Sequence, residues 1–163
     1  MTACKSEPAK PKLSDADEVV NKEVVEYAKN RHTGSEVDLN FTEREIEGEL
    51  NRVWKATNRD GMEYEIAIPV WCIEDNDTSE MFEDNHDYLI AKEVLKSFPD
   101  LGELEYEFSK NLSTKTTCEE KDLENLHMSY LIASKALKEK GVNTEFWTTV
   151  TVGDKTVEFT PYD

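Results

Sequence analysis

The chain has few basic residues, few glycines and no long apolar run. Its 163 residues include 19 Lys and Arg against 36 Asp and Glu, which gives a formal net charge of -17. A general nucleic-acid binder needs basic side chains to neutralise phosphates, so the composition argues against direct nucleic-acid binding. With only 6 glycines, a Gly-rich phosphate loop is scarcely available. No stretch approaches the about 18 consecutive apolar residues that a membrane-spanning helix needs.

The composition is nevertheless that of a folded protein. Hydrophobic residues make up 37% of the chain and aromatic residues 9%, which is enough to build a core. The length fits one ordinary domain. Residues 1–13 carry two prolines and almost no large apolar side chains, so they bury too little surface to offset their ordering entropy. We therefore expect a disordered tail over residues 1–13 and a single domain over residues 14–163.

Three segments have the periodicity and the end signals of helices. The first, over residues 14–31, begins with a serine N-cap followed by acidic residues. The second carries apolar residues at helical spacing over residues 88–98 and is stopped by a proline. The third, within residues 117–141, follows a capping box formed by Thr117 and Glu120 and ends at a glycine.

Strand signals lie between the first and second predicted helices. Residues 62–71 alternate between apolar and polar, and the turn at residues 58–61 joins them to residues 53–57 as a hairpin. Residues 42–57 fit two interpretations, because a capping box and a period-two alternation overlap there. We favour strands for this segment.

Further strand signals follow the second predicted helix. Residues 103–108 alternate most clearly, with three glutamates on one side and three apolar residues on the other. Residues 144–152 and 155–161 predict a terminal hairpin. Together the elements predict an α+β fold in which about three helices pack on a mostly antiparallel sheet.

An acidic segment precedes the second predicted helix. Within it, Asp75, Asp77 and Glu80 offer the alternating oxygens that a hard cation prefers. The EF-hand pattern is not met, because Glu80 stands at the sixth position, where Gly is required. The alternative is a solvated entry to the helix, whose dipole acidic residues complement. Apart from a divalent cation at this segment, we expect no cofactor.

The sequence holds no motif of nucleophilic catalysis. It lacks both Gly-x-Ser-x-Gly and Cys-x-x-Cys. The three histidines, His32, His86 and His127, lie outside diagnostic motifs, so we assign no catalytic residue. The enzyme alternative is a small hydrolase or metal-dependent enzyme whose pocket combines His86 with scattered carboxylates.

Two tryptophans and three glutamates are candidates for binding a partner. Trp71 and Trp147 fall on the outer side of the alternation in their predicted strands. Exposed aromatic side chains surrounded by charge are typical anchors for a partner. We therefore take Trp71, Trp147, Glu103, Glu105 and Glu107 as candidate partner-binding residues. The alternative is a sheet that is covered on both faces.

The three cysteines leave two interpretations of the compartment. The sequence as written has no secretory signal, which favours a cytoplasmic location with free thiols. Cys4, preceded by Thr and Ala and followed by a tail with Pro and Lys, resembles the end of a bacterial lipoprotein signal and its tether. This resemblance implies a lipid on Cys4 and a periplasmic or cell-surface location. It also leaves Cys72 and Cys118 as a pair for a disulfide.

The acidity favours a non-catalytic protein that binds and blocks a basic protein partner. A large negative charge speeds the encounter with cationic proteins, and it also favours a monomer. Immunity proteins that neutralise toxins, and phage DNA mimics, are similar to this chain in size and acidity, a similarity of composition alone. The alternatives are an envelope lipoprotein with a periplasmic binding domain, and the small hydrolase described above.

Overall fold

The N-terminal half begins with the helix that the sequence predicts. The structure, a computed structural model, describes residues 14–78 and 80–162, so the predicted tail lies outside the described residues. Helix α1 (Asp15–Arg31) begins at Ser14, whose Oγ accepts a hydrogen bond from the amide of Asp17 at 3.1 Å. One face of the helix is buried, through Val20, Asn21, Val24 and Ala28.

An antiparallel sheet of four strands follows, in the order β1 (Glu36–Ile46), β2 (Glu49–Thr57), β3 (Glu63–Pro69) and β4 (Glu83–Asp84). Strands therefore occupy residues 42–57, as the favoured interpretation predicts. The turn between β2 and β3 is also confirmed, because the amide of Asn58 donates to the carbonyl of Met62 at 2.9 Å. Helix α1 covers one face of this sheet, where Trp54, Ile66 and Ile68 form the core.

The strand predicted over residues 62–71 is too long. It ends at Pro69, which has no N–H for a further ladder bond, and the short helix α2 (Val70–Glu74) follows at once. Trp71 therefore lies on a helix and not on a strand. Cys72, on the same helix, is completely buried in the core under α1.

The C-terminal half contains two helices and three strands: α3 (His86–Leu95), β5 (Leu112–Thr117), α4 (Leu123–Glu139), β6 (Phe146–Val152) and β7 (Lys155–Phe159). Strands β5 and β6 are parallel, and α4 crosses between them. Strands β6 and β7 form the predicted terminal hairpin. The capping box does not form, because Thr117 ends β5 and a 3₁₀ turn precedes α4. None of the helices in the described residues is long and apolar enough to cross a membrane.

The α+β fold class is confirmed, but the strands form two sheets. The apolar side chains divide accordingly into two main clusters. One cluster lies between α1 and the four-stranded sheet. The other lies between α4 and the three-stranded sheet, where Tyr130, Leu137, Phe146 and Val150 are buried.

The strand predicted over residues 103–108 is wrong. Leu104 makes only an isolated bridge to Thr114, and Phe108 instead packs under the four-stranded sheet. The strand of this region is β5, whose alternation is hidden because its fully buried central residue is polar. The hydroxyl of Thr114 meets that of Thr148 at 2.8 Å.

A glycine allows the irregular segment that precedes β5 to pack closely against this strand. Gly102 has a φ of +85°, and a Cβ at this position would lie 2.1 Å from the carbonyl oxygen of Lys115. Only glycine permits this backbone conformation together with so close an approach. The segment can therefore lie along β5 without becoming a regular strand.

Polar contacts centred on Asn85 join the two halves. Its side-chain oxygen accepts from the amide of Glu65 at 2.6 Å, and its side-chain nitrogen donates to Glu107 at 2.8 Å. Beside it, Arg44 makes two hydrogen bonds of 2.8 Å to Glu65 and lies over the ring of Phe108. The second face of the four-stranded sheet is therefore partly covered by the segment that precedes β5.

Candidate functional site

An exposed tryptophan stands at the end of the four-stranded sheet. Trp71 on α2 is 44% exposed, and its Nε1 donates to Oε1 of Glu49 at 2.5 Å. Glu49 begins β2, directly after the two-residue turn that joins β1 to β2. Because the neighbouring Cys72 is buried in the core, α2 is held firmly and presents Trp71 beside this turn.

The loop after α2 folds back onto the helix. The amide of Asp75 donates to the carbonyl of Trp71 at 3.0 Å, and the amide of Asp77 donates to that of Cys72 at 2.9 Å. The hydroxyl of Thr78 donates to Glu23 on α1 and so fixes the end of this loop. These contacts hold the loop against α2, the helix that carries Trp71.

Acidic residues lie on the β1–β2 turn and on the α2 loop, the two segments beside Trp71. We call this set the acidic surface: Glu47, Glu49, Trp71, Glu74, Asp75, Asp77 and Glu80. All seven side chains are exposed, and none of the six carboxylates forms an ion pair with a basic residue in the described part of the chain. The acidic surface therefore combines exposed carboxylates with one exposed aromatic side chain.

Neighbouring groups respond to this charge. Burial raises the pKa of the Cys72 thiol, and the charges of Asp77, Glu49 and Asp75 raise it further. Burial also raises the pKa of Glu83; Lys110 opposes the shift, and Glu47 adds to it. The carboxylates of the β1–β2 turn and of the α2 loop thus raise the pKa of groups in the same region of the molecule.

The other candidate partner-binding residues lie elsewhere. Trp147 is half-buried on β6 and donates to Glu145 at 3.3 Å. Glu105 pairs with Lys115 at 3.3 Å, and Glu107 accepts from Asn85. Glu103 is exposed and makes no such contact with another described residue. The structure therefore separates Trp71 from Trp147, and it uses two of the three glutamates within the fold.

The predicted cation site receives no second group of ligands. Asp75, Asp77 and Glu80 are exposed, and they are not part of the group of metal-ligating side chains that the structure brings together among the described residues. A cation at this segment stays a prediction. Ca²⁺ titration followed by tryptophan fluorescence, in the wild type and in a Trp71→Phe variant, tests it.

The cysteine predictions have different outcomes. Cys4 lies outside the described residues. Cys72 and Cys118 are both free thiols, and they belong to different apolar clusters of the core. The structure therefore does not form the disulfide that the lipoprotein resemblance suggests.

A second polar site, which the sequence did not reveal, lies where the two halves meet. It consists of His32, Asp84, His86 and Asp87, and we call it the histidine cluster. The two imidazole rings are stacked with centroids 3.7 Å apart and planes inclined by 18°. His32 Nε2 donates to Asp84 Oδ1 at 3.1 Å, and His86 Nδ1 donates to Asp87 Oδ1 at 2.8 Å. These proton positions are assigned from the hydrogen-bond partners.

Hydrogen bonds hold both aspartates of the histidine cluster in their charged form. Burial raises the pKa of Asp84, but hydrogen bonds from His32 and Tyr27 outweigh burial and lower it. The pKa of Asp87 is lowered in the same way, by hydrogen bonds from His86 and Thr144. Each carboxylate is thus a buried anion with its own donors.

Three side chains of the histidine cluster, His32, His86 and Asp87, have donor atoms within 4.8 Å of one another. An imidazole nitrogen binds Zn²⁺ in the plane of its ring at about 2.1 Å. Two nearly parallel rings cannot both direct a lone pair at one ion unless a ring rotates. The ring nitrogens of His86 are also occupied, because Nε2 lies 3.1 Å from the side-chain nitrogen of Asn58. The geometry fits a hydrogen-bonded network better than a coordination shell.

The hydroxyl groups that contact the histidine cluster, those of Tyr27 and Thr144, bond to its aspartates. The hydrolase alternative, in which His86 acts with carboxylates, stays a prediction. What the cluster does is connect the end of α1 with β4 and α3: His32 directly follows α1, Asp84 lies on β4, and His86 and Asp87 lie on α3.

No family model, curated protein or solved structure matches the chain. No residue role is therefore transferred from a relative. The acidic surface and the histidine cluster stand on their own geometry.

Proposed function

We propose that this chain is a non-catalytic acidic protein that binds a basic protein partner through the acidic surface and blocks the face it covers. The observation that carries the proposal is the exposed side chain of Trp71 on a surface whose six carboxylates form no ion pair with a basic residue in the described part of the chain. Aromatic anchors surrounded by charge are frequent hot spots of protein interfaces. The surrounding negative charge attracts a cationic partner and speeds its association.

Backbone strain at the acidic surface supports the proposal. Among the described residues, the non-glycine residues with positive φ are Glu47, Asn76 and Glu80, and all three lie on its turn or its loop. A left-handed backbone costs an ordinary L-residue about 1 kcal/mol, and Gly or Asn would relieve this at both glutamates. A carboxylate kept at a strained position is expected where charge serves binding and not stability.

The experiment is affinity capture from a cell lysate at about 50 mM and about 300 mM salt, with captured proteins identified by mass spectrometry. One variant removes three charges of the acidic surface, through Glu47→Gln, Asp75→Asn and Asp77→Asn. The control removes three charges from exposed positions in the C-terminal half, through Glu139→Gln, Asp154→Asn and Glu158→Gln. The two variants have the same net charge.

The proposal predicts one basic protein that the wild type and the control retain at low salt and that the surface variant loses. Higher salt weakens the capture, because it screens the charges. Trp71→Ala reduces the affinity for that protein by about tenfold or more, whereas Tyr106→Ala, at a similarly exposed aromatic residue, leaves it unchanged. Equal losses in the two charge variants, or no salt-sensitive capture, would show that the proposal is wrong.

A further inference from the structure

Helix α4 has a second apolar face that the core does not use. Met128, Leu131 and Ile132 are 53%, 38% and 55% exposed, and they lie opposite the side of the helix that packs on the three-stranded sheet. Single exposed apolar residues are ordinary, but adjacent ones on one helix face mark an interaction surface. We call this the outward face of α4.

The outward face has the spacing of a coiled-coil seam. Glu124, Met128, Leu131, Lys135 and Lys138 follow one another at intervals of four, three, four and three residues, and all five are exposed. This alternation is the heptad pattern by which one helix packs along another. The seam is acidic near its beginning, apolar at its centre and basic near its end.

The charges on the seam of one copy are complementary to those on the seam of a second copy that runs antiparallel to it. Glu124 lies seven residues before Leu131, and Lys138 lies seven residues after it. In two antiparallel copies related by a two-fold axis at Leu131, each Glu124 therefore faces a Lys138 of the other copy. A parallel arrangement would instead place like charges together.

We infer that the outward face of α4 is the contact surface for a second copy of this chain, packed antiparallel about Leu131. The lysines of the seam disfavour the basic partner proposed for the acidic surface, so this inference does not rest on the proposed function. The apolar patch is small and the chain is strongly acidic, so association is weak, with a dissociation constant of about 0.1 to 1 mM. At low concentration the chain remains a monomer, as its net charge predicts.

The test is sedimentation velocity of the full chain from about 10 μM to about 1 mM at about 0.15 M salt. The wild type shifts from monomer towards dimer over this range. Glu124→Lys and Lys138→Glu each place like charges opposite one another, so each variant alone stays monomeric. An equimolar mixture of the two variants regains the wild-type association, because the heterodimer restores both pairs.

The mixture distinguishes the proposed pairing of Glu124 with Lys138 from other causes of weak association. Glu124→Lys makes the chain less negative and Lys138→Glu makes it more negative, so an effect of net charge would move the two variants in opposite directions. A variant that failed to fold would not be rescued by mixing. Ile132→Lys, placed beside the seam, abolishes the dimer, whereas Val19→Lys, at an equally exposed apolar residue of α1, leaves it intact. A wild type that is monomeric at about 1 mM, or a mixture that does not associate, overturns the inference.

Discussion

Asp84→Asn is the substitution that tests most directly whether the histidine cluster holds the two halves together. The side chain of Asp84 is 5% exposed. Oδ2 accepts from the hydroxyl of Tyr27 at 2.6 Å and lies 3.5 Å from Nε of Arg31, while Oδ1 accepts from His32 at 3.1 Å and from the amide of His86 at 2.9 Å. Asparagine preserves the shape but replaces one acceptor by a donor and removes the charge.

The expected loss in the free energy of unfolding follows from these contacts. Asp84 accepts three hydrogen bonds, and a single hydrogen bond to a charged group contributes about 1.5 to 3 kcal/mol. Asparagine keeps one acceptor, and the hydroxyl of Tyr27 can rotate to accept from the new donor. We therefore expect Asp84→Asn to cost about 3 kcal/mol at neutral pH.

The pH dependence has a defined sign. Because the pKa of Asp84 is lower in the folded state than in the unfolded chain, its contribution is fully present above the unfolded pKa of about 3.9. The contribution is lost as the pH falls through the lower folded pKa. The part of the difference between wild type and variant that comes from the Asp84 carboxylate therefore shrinks in acid.

Urea unfolding followed by tryptophan fluorescence measures this difference, because Trp54 is buried in the core under α1. Asp154→Asn, at an exposed turn, is the control and should change the stability by less than about 0.5 kcal/mol. If Asp84→Asn costs as little as this control, or if its effect does not shrink in acid, the histidine cluster does not stabilise the junction as argued.

Three further substitutions or additions test other parts of the structure. Glu47→Asn relieves a left-handed glutamate in a two-residue hairpin turn; it should raise stability by about 0.5 to 1 kcal/mol in urea unfolding and weaken capture of the basic partner. Gly102→Ala should cost about 3 kcal/mol or more, because its Cβ would meet the carbonyl of Lys115, whereas Gly153→Ala has open space and should cost about 1 kcal/mol. Zn²⁺ should leave the midpoint of thermal unfolding unchanged to within about 1 °C; a rise that His32→Gln abolishes would instead show that the histidine cluster binds the metal.

Local signals explain which elements the sequence predicts correctly. Helix α1 follows from its serine cap and from its apolar spacing, and the two hairpins follow from their turn residues. These features depend on residues a few positions apart. Predictions made from these features therefore do not depend on the rest of the chain.

The strand predictions are wrong where the structure of a segment depends on residues that are distant in the sequence. Residues 103–108 alternate like a strand, but Phe108 finds its partners Val53 and Ala67 on the other sheet. Strand β5 was missed because Thr114 is buried against another threonine and not against an apolar residue. Strands are predicted from an alternation of apolar residues, and this alternation is missing where the buried side chain is polar but hydrogen-bonded.

The histidine cluster could not be predicted from local sequence patterns for the same reason. His32 and Asp84 are 52 residues apart, and the contact from Asp87 to Thr144 spans 57 residues. The available signal was the run from Asp84 to Asp87, in which a histidine stands between two aspartates. Without the fold, that run is not distinguishable from the other acidic segments of the chain.

The acidity of this chain therefore has two different origins. Carboxylates such as Asp84, Asp87 and Glu65 are buried or half-buried beside donors, which keep their pKa low and convert their charge into stability. Carboxylates such as Glu47 and Asp77 are exposed and form no ion pair among the described residues, so their charge does not stabilise the fold. Because stability does not require these charges beside an exposed tryptophan, the proposal of a basic protein partner depends on them and not on the net charge of the chain.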